Sequence, residues 1–277
     1  MTTINPDKIA AYIRDVAFDK IMPRFQKLAD HEISTKSGPT DFVTIADLEA
    51  EIDLTRILLD VIPGSYVLGE EAVSKNETDI RLLGQHDGYV WVIDPVDGTG
   101  NFASGDKKFG TIVALSYKGE IINGWILDIP ENRMGVAERG SGVLLNGNAV
   151  QYQPSKKSLK DTRGFISVKF LPPKMRDDLK DVLANEFGEV KPYMCCAHEY
   201  LAILEAQSYF ALYSRIRPWD HQAGALMVRE AGGITRKWDG SDYTAADQRG
   251  GLIVAANDDA WNEIHSNLIA QYVGYYN

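Results

Sequence analysis

Cysteine is scarce: the 277 residues hold two, Cys195 and Cys196, and these are adjacent. That arrangement excludes the disulfide framework of a small secreted domain, and reduced thiols are expected. Long apolar runs are missing as well. Nothing approaches the roughly 20 residues of a membrane-spanning helix, and the opening Met1-Thr2-Thr3-Ile4-Asn5-Pro6-Asp7 lacks the basic-then-apolar order of a signal peptide. The expectation is a cytoplasmic protein with no membrane partner. Positive charge is short too, with 29 Lys and Arg against 39 Asp and Glu, for a net charge of −10. This balance argues against nonspecific binding of nucleic acid. An acidic chain that accepts a phosphate needs local positive charge, which bound cations supply.

Several catalytic chemistries are absent. A cysteine phosphatase with Cys-x₅-Arg spacing needs arginine at 201 or 202, where Leu201 and Ala202 stand. An Asp-x-Asp nucleophile pair has one spacer, whereas Asp94-Pro95-Val96-Asp97 has two. There is no Gly-x₄-Gly-Lys-Ser/Thr for a P-loop. His31, His86, His198, His221 and His265 show no zinc spacing. Of these, His198 and His221 fall near the proposed pocket, where a histidine serves as site residue or bystander.

What is present is a string from Trp91 to Phe102, Trp-Val-Ile-Asp-Pro-Val-Asp-Gly-Thr-Gly-Asn-Phe. Tyr89 to Ile93 reads as a buried strand that delivers Asp94 to its end, with Pro95 expected to stop pairing. Asp94 and Asp97 then turn toward a common point, Gly98 permits a tight backbone, and Thr99 opens a helix whose free N–H groups face an anion. Hard oxygen ligands beside such a helix end suit Mg²⁺ with a phosphate. Taken singly, the two aspartates also fit turn formers and Thr99 a helix cap.

Around this string the chain reads as mixed α and β. Asn5-Pro6 starts a helix carrying Ile9, Ile13, Ala17 and Ile21, which Pro23 kinks or ends. Residues 34–39 read as a loop, followed by a short strand at Phe42 and Val43. A second helix presents Leu48, Ile52, Thr55 and Leu59 before Pro63-Gly64. Strand-like Thr111 to Tyr117, Ile121 to Asp128 and Met134 to Glu138, with an Asn146-Gly147 hairpin signal, form an antiparallel meander. Beyond it come strand Gly164 to Phe170, helix Met175 to Phe187, strand near Val190, helix His198 to Ala206, strand Tyr209 to Tyr213, helix Asp220 to Ala231, strand Leu252 to Ala256 and a terminal helix with Trp261 and Ile264. Residues 1–277 thus read as a single domain, with an α+β half at about 1–155, an α/β half at about 156–277 and the site between them.

Three further segments supply acids. Val67-Leu68-Gly69-Glu70-Glu71 ends a short apolar run; alone it also fits a solvated loop. Thr44-Ile45-Ala46-Asp47 fits a capping box. Asp220, in Arg217-Pro218-Trp219-Asp220-His221-Gln222-Ala223-Gly224, is an N-cap candidate.

Together these segments resemble the inositol monophosphatase family. The Trp91–Phe102 string is similar to its metal-binding signature, Gly69-Glu70-Glu71 to its Gly-Glu-Glu element, and Asp41 to Asp47 to its Asp-x-Val-Thr-x-x-Asp motif. Arg217 through Gly233 is similar to its C-terminal signature. The resemblance implies a five-layer αβαβα sandwich with an antiparallel sheet in the N-terminal half and a mixed α/β sheet in the C-terminal half. It implies a Mg²⁺-dependent, lithium-sensitive phosphomonoesterase, a homodimer acting on a small phosphorylated metabolite. Glu70, Asp94 and the Val96 carbonyl would hold one Mg²⁺ and Asp94, Asp97 and Asp220 a second, with a third, weaker one near Glu70. Thr99, paired with Asp47, would orient the attacking water, while Gly98 and Thr99 bind the phosphoryl oxygens and Asp220 borders the substrate. Lys36 lies where the family carries a lysine near the site; a solvated loop lysine fits equally.

The chain departs from the best-known members on the substrate side. Tyr213 stands where they carry a glutamate for inositol hydroxyls, and Cys195-Cys196-Ala197-His198 replaces a Gly-Ser/Thr-Ala-Ala turn. Arg215 and Arg217 offer a second anionic grip, suiting fructose 1,6-bisphosphate, 3′-phosphoadenosine 5′-phosphate or histidinol phosphate better than a neutral polyol; a solvated edge fits them too. From another class, the same scaffold would serve a non-catalytic metal-binding regulatory protein.

Overall fold

The structure, a computed structural model, describes residues 4–36, 38, 41–151 and 158–275. Helix α1 (Pro6–Val16) starts as its sequence dictates: the Asn5 side chain accepts the Asp7 and Lys8 N–H groups, and Pro6 occupies the first helical position. Ile9, Ala10, Ile13 and Val16 are buried on its inner face. The helix then loosens into a π turn at Ala17–Ile21 and a 3₁₀ turn at Met22–Arg24, where Pro23 sits. Ser34 and Thr35, expected in a loop, instead belong to β1 (Ile33–Thr35), which pairs antiparallel with β2 (Phe42–Thr44). The rest of that loop lies partly outside the described residues, as does the expected boundary near 155.

Helix α2 (Ile45–Val61) buries Ala46, Asp47, Ala50, Glu51, Leu54 and Leu58. This corrects the expected face, because Ile52 is 67 % and Leu59 38 % exposed. Small Ala46 and Ala50 let the helix approach the sheet closely, and the two acids beside them disguise that face as polar.

After β3 (Tyr66–Gly69), α3 (Glu70–Ser74) and α4 (Leu82–Gln85) comes β4 (Tyr89–Asp97). This strand does not stop at Pro95, as the sequence suggested. It runs on to Asp97 with a shift of register between Asp94 and Asp97, where the Thr111 hydroxyl donates to the Pro95 carbonyl at 2.8 Å. A proline tolerated within a strand marks an irregularity of this kind. Next are α5 (Thr99–Ser104), β5 (Gly110–Tyr117), β6 (Glu120–Asp128), β7 (Arg133–Glu138), β8 (Gly142–Leu145) and β9 (Asn148–Val150). They complete a seven-stranded sheet in the order β3-β4-β5-β6-β7-β8-β9, antiparallel except for the β3–β4 edge pair.

The later elements are β10 (Arg163–Ile166), α6 (Pro173–Glu186), β11 (Glu189–Val190), α7 (Cys196–Leu204), β12 (Phe210–Tyr213), α8 (Pro218–Glu230), β13 (Ile234–Lys237), β14 (Leu252–Ala255) and α9 (Asp258–Ile264). Strand β10 ends earlier than expected, its last residues turning into a 3₁₀ segment at Val168–Phe170, and β13 went unpredicted. The five strands form a mixed sheet in the order β11-β10-β12-β14-β13.

Alternation along β4 and β5 explains the layering. Trp91, Ile93 and Val113 pack with Ile9, Ile13, Leu54 and Leu58 of α1 and α2. Val92, Ile112 and Ala114 face the opposite way, toward Tyr200, Leu201, Ala223 and Met227 of α7 and α8. Those two helices form the middle layer, the five-stranded sheet the fourth, and α6 and α9 the outermost, giving the αβαβα order. No helix among the described residues is long and apolar enough to cross a membrane.

Candidate active site

Strand register builds the centre of the site. Strands β3 and β4 run parallel with Gly69 opposite Ile93, so the next residues, Glu70 and Asp94, emerge side by side. Helix α8 packs across the same sheet and brings Asp220 in its first turn. Carboxylate oxygens of Glu70, Asp94 and Asp220 lie within 4.8 Å of one another. Burial pushes Asp94 and Asp220 well above the usual carboxylate range, and the neighbouring charges of Glu70 and Asp97 push the same way. Asp94 Oδ1 is buried without a hydrogen-bond partner among the described residues. Three converging acids with an orphaned oxygen suit a hard divalent cation, whose ligands are oxygens of this kind.

Asp220 is not an N-cap. It is the third residue of α8, and its N–H donates to the carbonyl of Arg217, the residue that precedes the helix. Pro218 accounts for the shift, since its fixed φ and missing N–H suit the first helical position. Asp97 stands outside the trio of acids. Its Oδ2 accepts the Ala197 N–H at 2.5 Å and the Cys195 Sγ at 3.0 Å, so it ties β4 to the start of α7.

Asp47 joins two motifs. Its Oδ2 accepts the Thr44 N–H (2.8 Å) and hydroxyl (2.6 Å), closing the capping box, while Oδ1 lies 3.2 Å from Thr99 Oγ1. The same Thr99 hydroxyl is 2.9 Å from the Val96 carbonyl, and its single proton serves one acceptor at a time. Burial pushes Asp47 up to about 7 despite the bonds from Thr44, with Glu71 and Glu70 adding to the rise. Gly98 is in the left-handed region (φ 81°), and a Cβ there would lie 2.7 Å from the Lys108 carbonyl oxygen. No other residue fits that turn without displacing backbone.

Lys36 reaches the cluster: Nζ is 2.6 Å from Glu70 Oε1 and 2.9 Å from Glu71 Oε1. Burial alone would lower its pKa, but the two glutamates outweigh this and hold the ammonium above the usual lysine range. Sequence reasoning missed Glu51. This buried acid accepts the Glu71 and Ala72 N–H groups, both at 2.8 Å, and so caps α3, the helix that carries Glu70. A Cβ on Gly69 would collide with the Glu51 carboxylate. The available signal was the four-residue spacing of Asp47 and Glu51 on the alanine face of α2.

The residues expected on the substrate side are placed differently. His198 Nε2 lies 3.4 Å from Asp128 Oδ1 and 3.3 Å from the Phe109 carbonyl. His221 is buried, which lowers its pKa to about 4, and its ring packs on Tyr213 with centroids 4.5 Å apart. Tyr213 faces buried Glu199, which burial pushes up to about 7. Arg215 and Arg217 are exposed, Arg215 over the Phe170 ring at 4.6 Å and Arg217 over Trp219 at 5.8 Å. The Arg217 charge also bears on Asp220.

A profile described as the Inositol monophosphatase family matches residues 7–275. The chain is 31 % identical to the Nus factor SuhB of Vibrio cholerae over 81 % of each chain. It is 31 % identical to an inositol-1-monophosphatase of Rhizobium meliloti, over 84 % of this chain and 85 % of that one. A crystal structure of an IMPase/NADP phosphatase complexed with Mg²⁺ and phosphate has the same fold, with a TM-score of 0.81 at 20 % identity over 98 % of this chain and 96 % of that one. Such membership indicates a phosphatase, hence a hydrolase. With a match that runs nearly end to end, the chain belongs to the inositol monophosphatase family.

Proposed function

We propose that the protein is a Mg²⁺-dependent phosphomonoesterase, inositol-monophosphatase-like, which hydrolyses a small phosphorylated polyol or sugar without a covalent intermediate. The observation that carries this reading is the convergence of the Glu70, Asp94 and Asp220 carboxylates, beside which Asp94 Oδ1 is buried without a partner among the described residues. Glu70, Asp94 and the Val96 carbonyl would hold one ion, Asp94, Asp97 and Asp220 another, and a third would sit near Glu70. Bound Mg²⁺ supplies a water of lowered pKa and neutralises charge on the leaving oxygen. The Rhizobium relative's name and the Mg²⁺ and phosphate of the crystallised neighbour support the assignment.

The chain's own residues have separate tasks. Thr99, held by Asp47, orients the nucleophilic water through its hydroxyl, and Asp47, near neutrality in pKa, is suited to take up a proton. The N–H groups of Gly98 and Thr99 bind phosphoryl oxygens as charge redistributes. Lys36 counterbalances the acids while the site is without cations.

On the substrate side, Arg215 and Arg217 are exposed and lie over the Phe170 and Trp219 rings, and the Arg217 charge bears on Asp220. They favour an ester with a second anionic or polar group, such as fructose 1,6-bisphosphate, 3′-phosphoadenosine 5′-phosphate or histidinol phosphate, as the alternative to a neutral polyol. The reading extends to a cytoplasmic, lithium-sensitive homodimer. A regulatory, non-catalytic role is the second reading, favoured by the name of the Vibrio relative. A panel of these esters, with released phosphate measured with Mg²⁺ and with chelator, tests both: Mg²⁺-dependent release is expected, and no release from any ester favours the regulatory role.

A further inference from the structure

Beside the hard-oxygen trio lies a cluster of different chemistry. The Cys196 thiol, an Asp220 carboxylate oxygen and a His221 ring nitrogen lie within 4.8 Å of one another. Cys196 begins α7, while Asp220 and His221 lie in the first turn of α8, so no local spacing reveals the group. His221 is also oriented as a ligand. Its Nε2 lies 2.9 Å from the Arg215 carbonyl oxygen, which only accepts, so Nε2 carries the proton and Nδ1 the lone pair. Metal-binding histidines are held in this way, with the second nitrogen donating to a carbonyl or carboxylate. Nδ1 faces the Tyr200 hydroxyl at 3.2 Å, and Tyr200 is one turn beyond Cys196 on α7. The lone pair therefore points toward the helix that bears the thiol.

We infer that Cys196, Asp220 and His221 form a binding site for a thiophilic divalent cation of the Zn²⁺ class. Sulfur, imidazole nitrogen and a single carboxylate oxygen are the donor set of zinc or cobalt, and Mg²⁺ prefers oxygen throughout. Binding breaks the Cys196 S–H bond and forms a metal–sulfur bond, with the proton leaving to solvent. The Tyr200 hydroxyl gives up Nδ1 to the metal, and water completes the tetrahedron. Cys195 is no substitute, because it is buried and its thiol is bonded to Asp97. Asp220 belongs to both clusters, so a zinc ion here competes with Mg²⁺ for it; that consequence alone rests on the phosphatase reading.

The test uses the full-length, reduced protein freed of Mg²⁺, with Co²⁺ as the probe. Expected are a thiolate-to-cobalt charge-transfer band saturating at one equivalent, its displacement by Zn²⁺, loss of the band in Cys196→Ser and its retention in Cys195→Ser. In the unmodified chain, Zn²⁺ should slow iodoacetamide labelling of Cys196 by at least about tenfold, read by fragment mass spectrometry, and Mg²⁺ should not. Absence of the band, its survival in Cys196→Ser, or an unchanged labelling rate with Zn²⁺ overturns the inference. None of these readouts depends on hydrolysis, so failure here and failure of the phosphatase reading are separable.

Discussion

The acid cluster and the wall facing it are made in opposite ways. Glu70, just past β3, and Asp94, within β4, are placed by sheet register, Asp220 joins them from the first turn of α8 packed on the same sheet, and further acids, Asp47 and Glu51, brace the turns. Of the residues expected on the substrate side, Cys196 and His198 come from the start of α7 and Arg215 and Arg217 from exposed loop positions, where a side chain changes without moving a strand, while Tyr213 ends β12. Under the proposed function, the contrast separates the chemistry, carried by backbone geometry, from substrate choice, carried by interchangeable side chains.

The sharpest way to break this contrast is Asp94→Asn. Removing a charge from the shared centre should lower kcat by at least about 10³-fold and weaken Mg²⁺ binding, measured by steady-state kinetics and calorimetry. Near-normal Mg²⁺-dependent turnover would dissociate the acids from catalysis. A smaller loss, about 10²-fold in kcat with Mg²⁺ affinity kept, is expected for Thr99→Ala, because the hydroxyl acts on the water rather than on the cation.

Titration sharpens the account of the acid side. Asp47 and Glu51 are each raised to about 7, chiefly by burial, against about 4 in an unfolded chain. The folded state then binds more protons than the unfolded state between these values, so stability of the metal-free protein should fall as pH rises from about 4 to 7. Thermal melts at pH 5 and pH 8 should show the higher Tm at pH 5, with added Mg²⁺ recovering most of the loss at pH 8. A metal-free Tm that rises with pH would mean the acids are not held protonated. Glu51→Gln should keep the fold but cost about 1–3 kcal/mol, because the Glu71 and Ala72 N–H groups use separate carboxylate oxygens and the amide leaves one of them facing an NH₂ donor. Smallest is the effect on the wall: Arg217→Ala should raise KM for a bisphosphorylated ester by about tenfold or less and leave kcat unchanged. A loss in kcat instead would place Arg217 on the chemical side.

Legibility followed the same division. Consecutive residues with a local mechanism could be read directly: the Asn5 cap, the Thr44–Asp47 box, the Asp94–Thr99 turn and the β5 to β7 meander each depend on near neighbours. Errors arose where packing decides. The inner face of α2 is marked by small alanines and acids instead of large apolar residues, and Pro95 stays in its strand because the register shift absorbs it. The four-residue spacing from Asp47 marks the position of Glu51, but its role as cap depends on α3 starting against α2, and the proximity of Cys196 and His221 depends on the packing of α7 on α8.

The most direct test is anomalous diffraction from crystals grown with Mn²⁺ in place of Mg²⁺. A strong anomalous peak bridging the carboxylates of Glu70, Asp94 and Asp220 is expected. Crystals that bind Mn²⁺ elsewhere, with those three carboxylates unliganded, would contradict it.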